Sequence, residues 1–158
     1  MKAVYSKDKQ AAYQTLAIEI EAAPKEIFYY LGTTEGITQW FPELAFTKEE
    51  NNHKLIFDLG DGDYEEMEVQ EYHEPNVIGF TWDIGYVRMV LEESGENTML
   101  TFEERLPFEF ETIARDFTGW QFQVKNIKHI SETGEAKDMD AVDFREEEAK
   151  VDAELNLN

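Results

Sequence analysis

The feature that most constrains this chain is a change of hydrophobic period near residue 108. Upstream, apolar side chains recur at every second residue in run after run. Downstream, Phe110, Ile113, Ala114, Phe117, Gln121, Val124, Ile127 and Lys128 follow three- and four-residue steps, flanked by Trp120 and Ile130. That stripe predicts one helix of about 20 residues, long enough at ~1.5 Å per residue to cross a whole sheet. A long amphipathic helix that follows a series of strands must bury its apolar stripe on a sheet face. The expected fold class is therefore α+β, a curved antiparallel sheet around a C-terminal helix.

The upstream runs support this order. Leu16, Ile18 and Ile20 alternate with Ala17, Glu19 and Glu21, the mark of a half-buried strand. Pro24 then suits the first turn of a helix with Ile27, Phe28, Tyr30 and Leu31 on its apolar face, closed by Gly32. A second short helix is expected over Glu35 to Trp40, stopped by Pro42. Beyond it, Leu55, Phe57 and Leu59 precede the turn Gly60-Asp61-Gly62-Asp63, and Met67 with Val69 precede Glu74-Pro75-Asn76. The sets Ile78, Phe80, Trp82, then Val87, Met89, Leu91, then Leu100, Phe102 complete a meander. The expected sheet has six to seven strands. Residues 1–12 read as an N-terminal extension, 13–131 as the domain and 132–158 as an acidic tail. In that tail Val142, Phe144, Val151, Leu155 and Leu157 are too sparse for a core, so a solvated, mobile segment is expected, with room for a short amphipathic helix around Phe144 to Val151; the alternative is a docked helix that binds a partner or closes the cavity.

Charge narrows the partners. The 35 acidic and 14 basic residues give a formal net charge of −21, which repels phosphate backbones and anionic lipid surfaces. Neither nucleic acid nor membrane is an expected partner. Residues 132–158 hold 10 acidic and 3 basic side chains, a net charge of −7, so most of the excess belongs to the folded part. The chain has no Cys, which removes disulfides, thiolate metal sites and cysteine nucleophiles. Met1 to Ala12 lacks an apolar signal-peptide region, and a cytoplasmic location is the default expectation.

Four stretches carry a family resemblance. Ile20-Glu21-Ala22-Ala23-Pro24-Lys25-Glu26-Ile27-Phe28 forms a strand-to-helix opening, and Ile37-Thr38-Gln39-Trp40-Phe41-Pro42 holds a Gln-Trp-Phe element. Glu74-Pro75 to Phe80-Thr81-Trp82 forms a central hairpin, and Thr118-Gly119-Trp120 a Gly-Trp step in the last helix. Between residues 13 and 131 the chain thereby resembles the START-related superfamily (SRPBCC, helix-grip), in its branch of heat-shock-protein-90 ATPase activator homologues. The resemblance implies a helix-grip fold with a cavity between sheet and helix, able in other members to hold lipids, hormones or polyketides. It also implies a chaperone-activator role for a few members that carry an additional domain.

The residues themselves assign no reactive centre. His53, His73 and His129 sit in separate elements, so no metal site is expected, and no cofactor is implied. Asp58, Asp61 and Asp63 resemble a calcium loop, but Glu66 stands where that loop needs Gly and Tyr72 where it needs Glu. Ser6, Ser94 and Ser131 have no nucleophile elbow, and Gly60-x-Gly62 is a hairpin turn. No catalytic residue is assigned.

The expected function is binding of a small apolar or amphipathic molecule between sheet and last helix. Trp40, Phe57, Trp82, Met89, Phe117 and Trp120 would line the cavity, with Arg88 or Gln121 orienting the ligand's polar end. Two other readings stay open. One is a protein-interaction module of the co-chaperone type that uses the acidic face. The other is an enzyme of cyclase or hydrolase type, with Asp83, Arg88 or Glu104 as acid, base or electrostatic stabiliser in the same cavity.

Overall fold

A computed structural model of the protein describes residues 1–49, 52–137 and 143–156, with the side chains of residues 48–53 left out. Val142, Leu157 and the side chain of His53, all named above, lie outside the described residues. The elements run β1 (Lys2–Lys7), β2 (Ala11–Ile20), α1 (Pro24–Gly32), α2 (Thr34–Ile37), β3 (Leu44–Glu49), β4 (Asn52–Gly60), β5 (Asp63–His73), β6 (Val77–Trp82), β7 (Gly85–Ser94), β8 (Asn97–Pro107), α3 (Ile113–Thr133) and α4 (Arg145–Leu155).

The strands form one antiparallel, curved and unclosed sheet in the order β1-β2-β8-β7-β6-β5-β4-β3. After the β1-β2 hairpin the chain leaves through α1 and α2, and the meander from β3 to β8 brings it back beside β2. Helix α3 then lies on the concave face, as the period change requires. Its stripe of Trp120, Val124, Ile127 and Ile130 joins Leu16, Ile18, Ile20, Met89, Leu100 and Phe102 in the main core. Each of these side chains is almost wholly withdrawn from water, worth roughly 1.5–3 kcal/mol apiece for the larger ones. Gly134, with φ at 82°, ends α3 by donating its N–H to Ile130 O.

The sheet has eight strands rather than six to seven, because β1 and β3 are added. β1 carries little period-2 signal since only Tyr5 on it is even half-buried. It is a strand because the turn after it is fixed by a side chain. Asp8 Oδ1 accepts from the N–H groups of Gln10 at 2.8 Å and Ala11 at 2.9 Å, and Asp8 Oδ2 accepts from the Tyr13 hydroxyl at 2.7 Å. Backbone pairing with β2 does the rest.

The C-terminal segment also departs from the reading as a solvated, mobile tail. Val151 and Leu155, one helical turn apart on α4, are buried against Ala12, Leu106, Ile113, Ala114 and Phe117 in a second apolar cluster. Two apolar residues suffice because α3 and the β1-β2 end of the sheet already present the surface they cover. Among the described residues no helix is long and apolar enough to cross a membrane.

Candidate functional site

Three elements meet where the N-terminal half of α3 leaves the sheet. From α3, the spacing of Thr112, Asp116, Gly119, Trp120 and Gln123 puts them along one helix face, beside the core stripe. From the sheet comes Trp82, at the end of β6. From the loop after α2 comes Phe41. Phe144, at the start of α4, closes the fourth side and stacks edge-on against Phe122 at 4.7 Å. The cleft these residues enclose measures about 440 Å³, the size of a small-molecule site. A neighbouring hollow of about 170 Å³ lies between Phe57, Met67, Trp82 and Phe110. A third hollow of about 470 Å³ is bounded by Glu109, Glu111, Glu148 and Asp152 and offers less apolar surface.

The cleft walls are held by ring contacts. Trp82 and Trp120 meet at 5.1 Å with planes at 70°, Phe41 approaches Trp82 and Trp120 at 6.1 Å each, and Phe57 reaches Trp82 at 5.8 Å. Edge-to-face packing of this kind fixes ring orientation as well as burying area. Gly119 forms open floor between these walls: a Cβ placed on it would meet nothing within 4 Å. Glycine inside a helix costs roughly 1 kcal/mol against alanine, and no neighbour here demands it. The space above it is what its missing side chain leaves free.

Behind the cleft runs a buried polar chain. Gln121 Nε2 donates to Gln14 Oε1 at 2.8 Å and to the Tyr5 hydroxyl. Gln14 Nε2 donates to Glu104 Oε1 at 3.3 Å and to Phe117 O at 3.1 Å. At the cleft end Trp82 Nε1 donates to Asp116 Oδ1 at 3.0 Å. Glu104 Oε2 and Asp116 Oδ2 are both buried with no other donor, and the two carboxyls face each other at hydrogen-bonding range. Two carboxylates so placed share a proton. Burial, then the Asp116 carboxyl, pushes Glu104 well above the usual carboxylate range, with the Gln14 amide opposing weakly. Glu104 is therefore the member of the pair whose surroundings favour the protonated form.

The residues expected at the site divide. Trp82 and Trp120 line the cleft, and Phe57 lines the adjoining hollow. Trp40 is core, its Nε1 donating to Tyr30 O at 2.8 Å, and Met89 is fully buried beneath the sheet's centre. Phe117 belongs to the second cluster, stacked on Tyr5, and Gln121 to the polar chain. Arg88 cannot orient a ligand in the cleft. Strand alternation places Val87 and Met89 inward and Arg88 on the convex face, where its Nε meets Glu71 Oε2 at 2.9 Å and its Nη1 meets Glu103 Oε1 at 3.1 Å. Asp83 is exposed in the β6-β7 turn, with φ at 54°. Of the three enzyme candidates only Glu104 is buried. Sequence reasoning missed Asp116, Gln123, Gly119 and Phe144. Asp116 and Gln123 could have been found from their four- and three-residue spacing to Trp120, and Gly119 from its three- and four-residue spacing to those two.

Among the described residues no group of three or more His, Asp or Glu side chains converges as a metal site. No protein-family model and no curated protein matches the chain. Among solved structures, a conserved protein of unknown function from Enterococcus faecalis, EF2215, is 32% identical, with a TM-score of 0.89 over 99% of this chain and 92% of that one. The chain belongs to the family of that enterococcal protein. The match extends over nearly the whole length, so β1 and α4 are part of what the two share. CalU16 from Micromonospora echinospora is 14% identical, with a TM-score of 0.72 over 96% of this chain and 94% of its own. The Aha1 dimer from Colwellia psychrerythraea is 18% identical, with a TM-score of 0.64 over 76% of this chain and 96% of that one. These two likenesses are of fold. They show the helix-grip fold that the sequence motifs imply, a curved antiparallel sheet around a long helix.

Proposed function

We propose that the protein is a START-like binding domain that holds a small apolar or amphipathic molecule in the cleft between sheet and last helix. The observation that carries this reading is the aromatic cleft of about 440 Å³ whose floor is left open at Gly119. Burial of a ligand's apolar body on Trp82, Trp120, Phe41 and Phe144 supplies affinity at ~25 cal/mol per Å², and the polar chain behind them fixes the walls. The site residues we assign are Trp82 and Trp120 from the expected set, with Phe41, Asp116, Gly119, Gln123 and Phe144 added.

Native mass spectrometry on protein purified from its own host tests this, with the same protein after denaturation and refolding as reference. A bound mass that is lost on refolding, and absent from a folded Gly119→Leu variant, supports the cleft. A bound mass that survives in Gly119→Leu removes the assignment, since a leucine side chain fills the floor.

The co-chaperone reading draws on the fold likeness to the Aha1 dimer and on the acidic surface. It predicts partner capture that weakens steeply as salt rises past a Debye length of about 10 Å at 0.1 M. Of the residues the enzyme reading names, Asp83, Arg88 and Glu104, none lines the cleft, and we place that reading behind both.

A further inference from the structure

The binding reading leaves the polar end of the ligand open, and the charges around the cleft bear on it. Asp116 forms part of the cleft wall, and one of its oxygens takes the Trp82 indole N–H while the other is buried toward the Glu104 carboxyl. Glu104 is 2% exposed, so the pair is sealed from water on the core side. Among the described residues neither carboxyl has a salt-bridge partner. Asp116 is half-buried with its Oδ2 withdrawn from water, and where a withdrawn carboxylate is ordinarily matched by a cation, this one takes only the neutral Trp82 indole N–H. Arg115 does reach the cleft rim, but its side chain is 72% exposed and leans to Glu148 Oε1 at 3.8 Å on α4. Its charge is turned outward and already opposed.

The rings point the same way. Trp82, Trp120 and Phe41 line the same cleft as Asp116, and aromatic faces attract cations through their quadrupoles. Gln123, two turns further along the same face of α3, adds an acceptor: its Oε1 is buried with no donor. The net charge of −21 raises the concentration of cations near the surface and lowers that of anions.

We propose that the cleft takes amphipathic organic cations, with an ammonium group against Asp116 and the apolar body lying over Gly119 between Trp82 and Trp120. This rests on the binding-domain reading above and specifies its ligand class. A neutral molecule of the same shape keeps the apolar contacts and loses the charge-assisted hydrogen bond. An anion of the same shape meets the carboxylate directly.

Three probes with one body and different heads separate these cases: phenylbutylamine, phenylbutanol and phenylbutyrate, titrated at about 150 mM salt to screen the outer surface. Binding is read by tryptophan fluorescence and by calorimetry. The expected order is amine tighter than alcohol by roughly ten-fold, with the acid weakest. Asp116→Asn keeps the side-chain shape and the Trp82 acceptor, and should erase the amine's advantage over the alcohol. Gly119→Leu should abolish uptake of both. An amine no tighter than the alcohol overturns the cation assignment and leaves the cleft reading intact. Amine binding that persists in Gly119→Leu puts the amine on the acidic surface and also overturns it. Uptake of none of the three probes removes the cleft reading together with the cation assignment.

Discussion

Glu103 and Glu104 are neighbours in the chain and live in opposite surroundings. The pleat of β8 sends Glu103 to the convex face, where with Glu71 it brackets Arg88 and stays in contact with water. It sends Glu104 to the concave face, where it is sealed behind the cleft and where burial and the facing Asp116 carboxyl push it well above the usual carboxylate range. The convex cluster pairs unlike charges, and Gly79 permits it, because a Cβ there would meet the Tyr86 hydroxyl at 2.3 Å and Glu71 Oε2 at 2.7 Å. The concave cluster pairs like groups. One residue's step along a strand thus decides whether a glutamate acts as a solvated charge or as a neutral acid, since side chains alternate between faces and the two faces differ in solvation.

The largest effect that could break this comparison comes from removing each carboxyl. Glu104→Ala strips Gln14 and Asp116 of a partner and opens a void, and should cost roughly 3 kcal/mol in urea unfolding. Glu103→Ala should cost less than about 1 kcal/mol, as exposed pairs do. Equal losses would mean that the two faces are not energetically distinct.

The next effect is in pH. Glu104 holds its proton more tightly folded than unfolded, so between the unfolded carboxyl range and its own raised value the native state binds more protons. Stability therefore falls as pH rises through that window, and the full contribution of the shared proton is present only below it. Glu104→Gln should flatten this slope in thermal unfolding followed from about pH 4 upward, whereas Glu103→Gln should leave it in place. A slope unchanged in Glu104→Gln would deny the shared proton.

A gain of roughly 1 kcal/mol is expected from Gly119→Ala, because the added methyl group meets open space and helix propensity improves. Chemical denaturation that shows a loss instead would mean the floor of the cleft is already filled. The smallest effect belongs to the convex face. Burial and then the hydrogen bond to Glu71 push the Tyr86 phenol up to about 12. Ultraviolet titration should show one tyrosine ionising last, and Tyr86→Phe should delete that component. Its raised value means that the stability tied to it is present below about pH 10 and is lost as pH climbs toward 12.

Much of this was legible in the chain. The period change near residue 108 and the paired runs before it determine a sheet followed by a covering helix, because side-chain spacing fixes which face each element must bury. The same alternation sets Leu100, Phe102, Glu104 and Leu106 on one face, so a glutamate within an apolar row was visible as an exception. What only the tertiary structure decided was who meets it. Asp116 comes to Glu104 from a different element, Phe144 reaches the cleft from a segment with almost no apolar pattern, and Arg88, already outward by strand alternation, meets Glu71 from β5 and Glu103 from β8. Local periodicity reports a side chain's face within its own element. Contact between elements depends on register, curvature and the angle at which the helix crosses the sheet, and those are set by the packing of all the elements together.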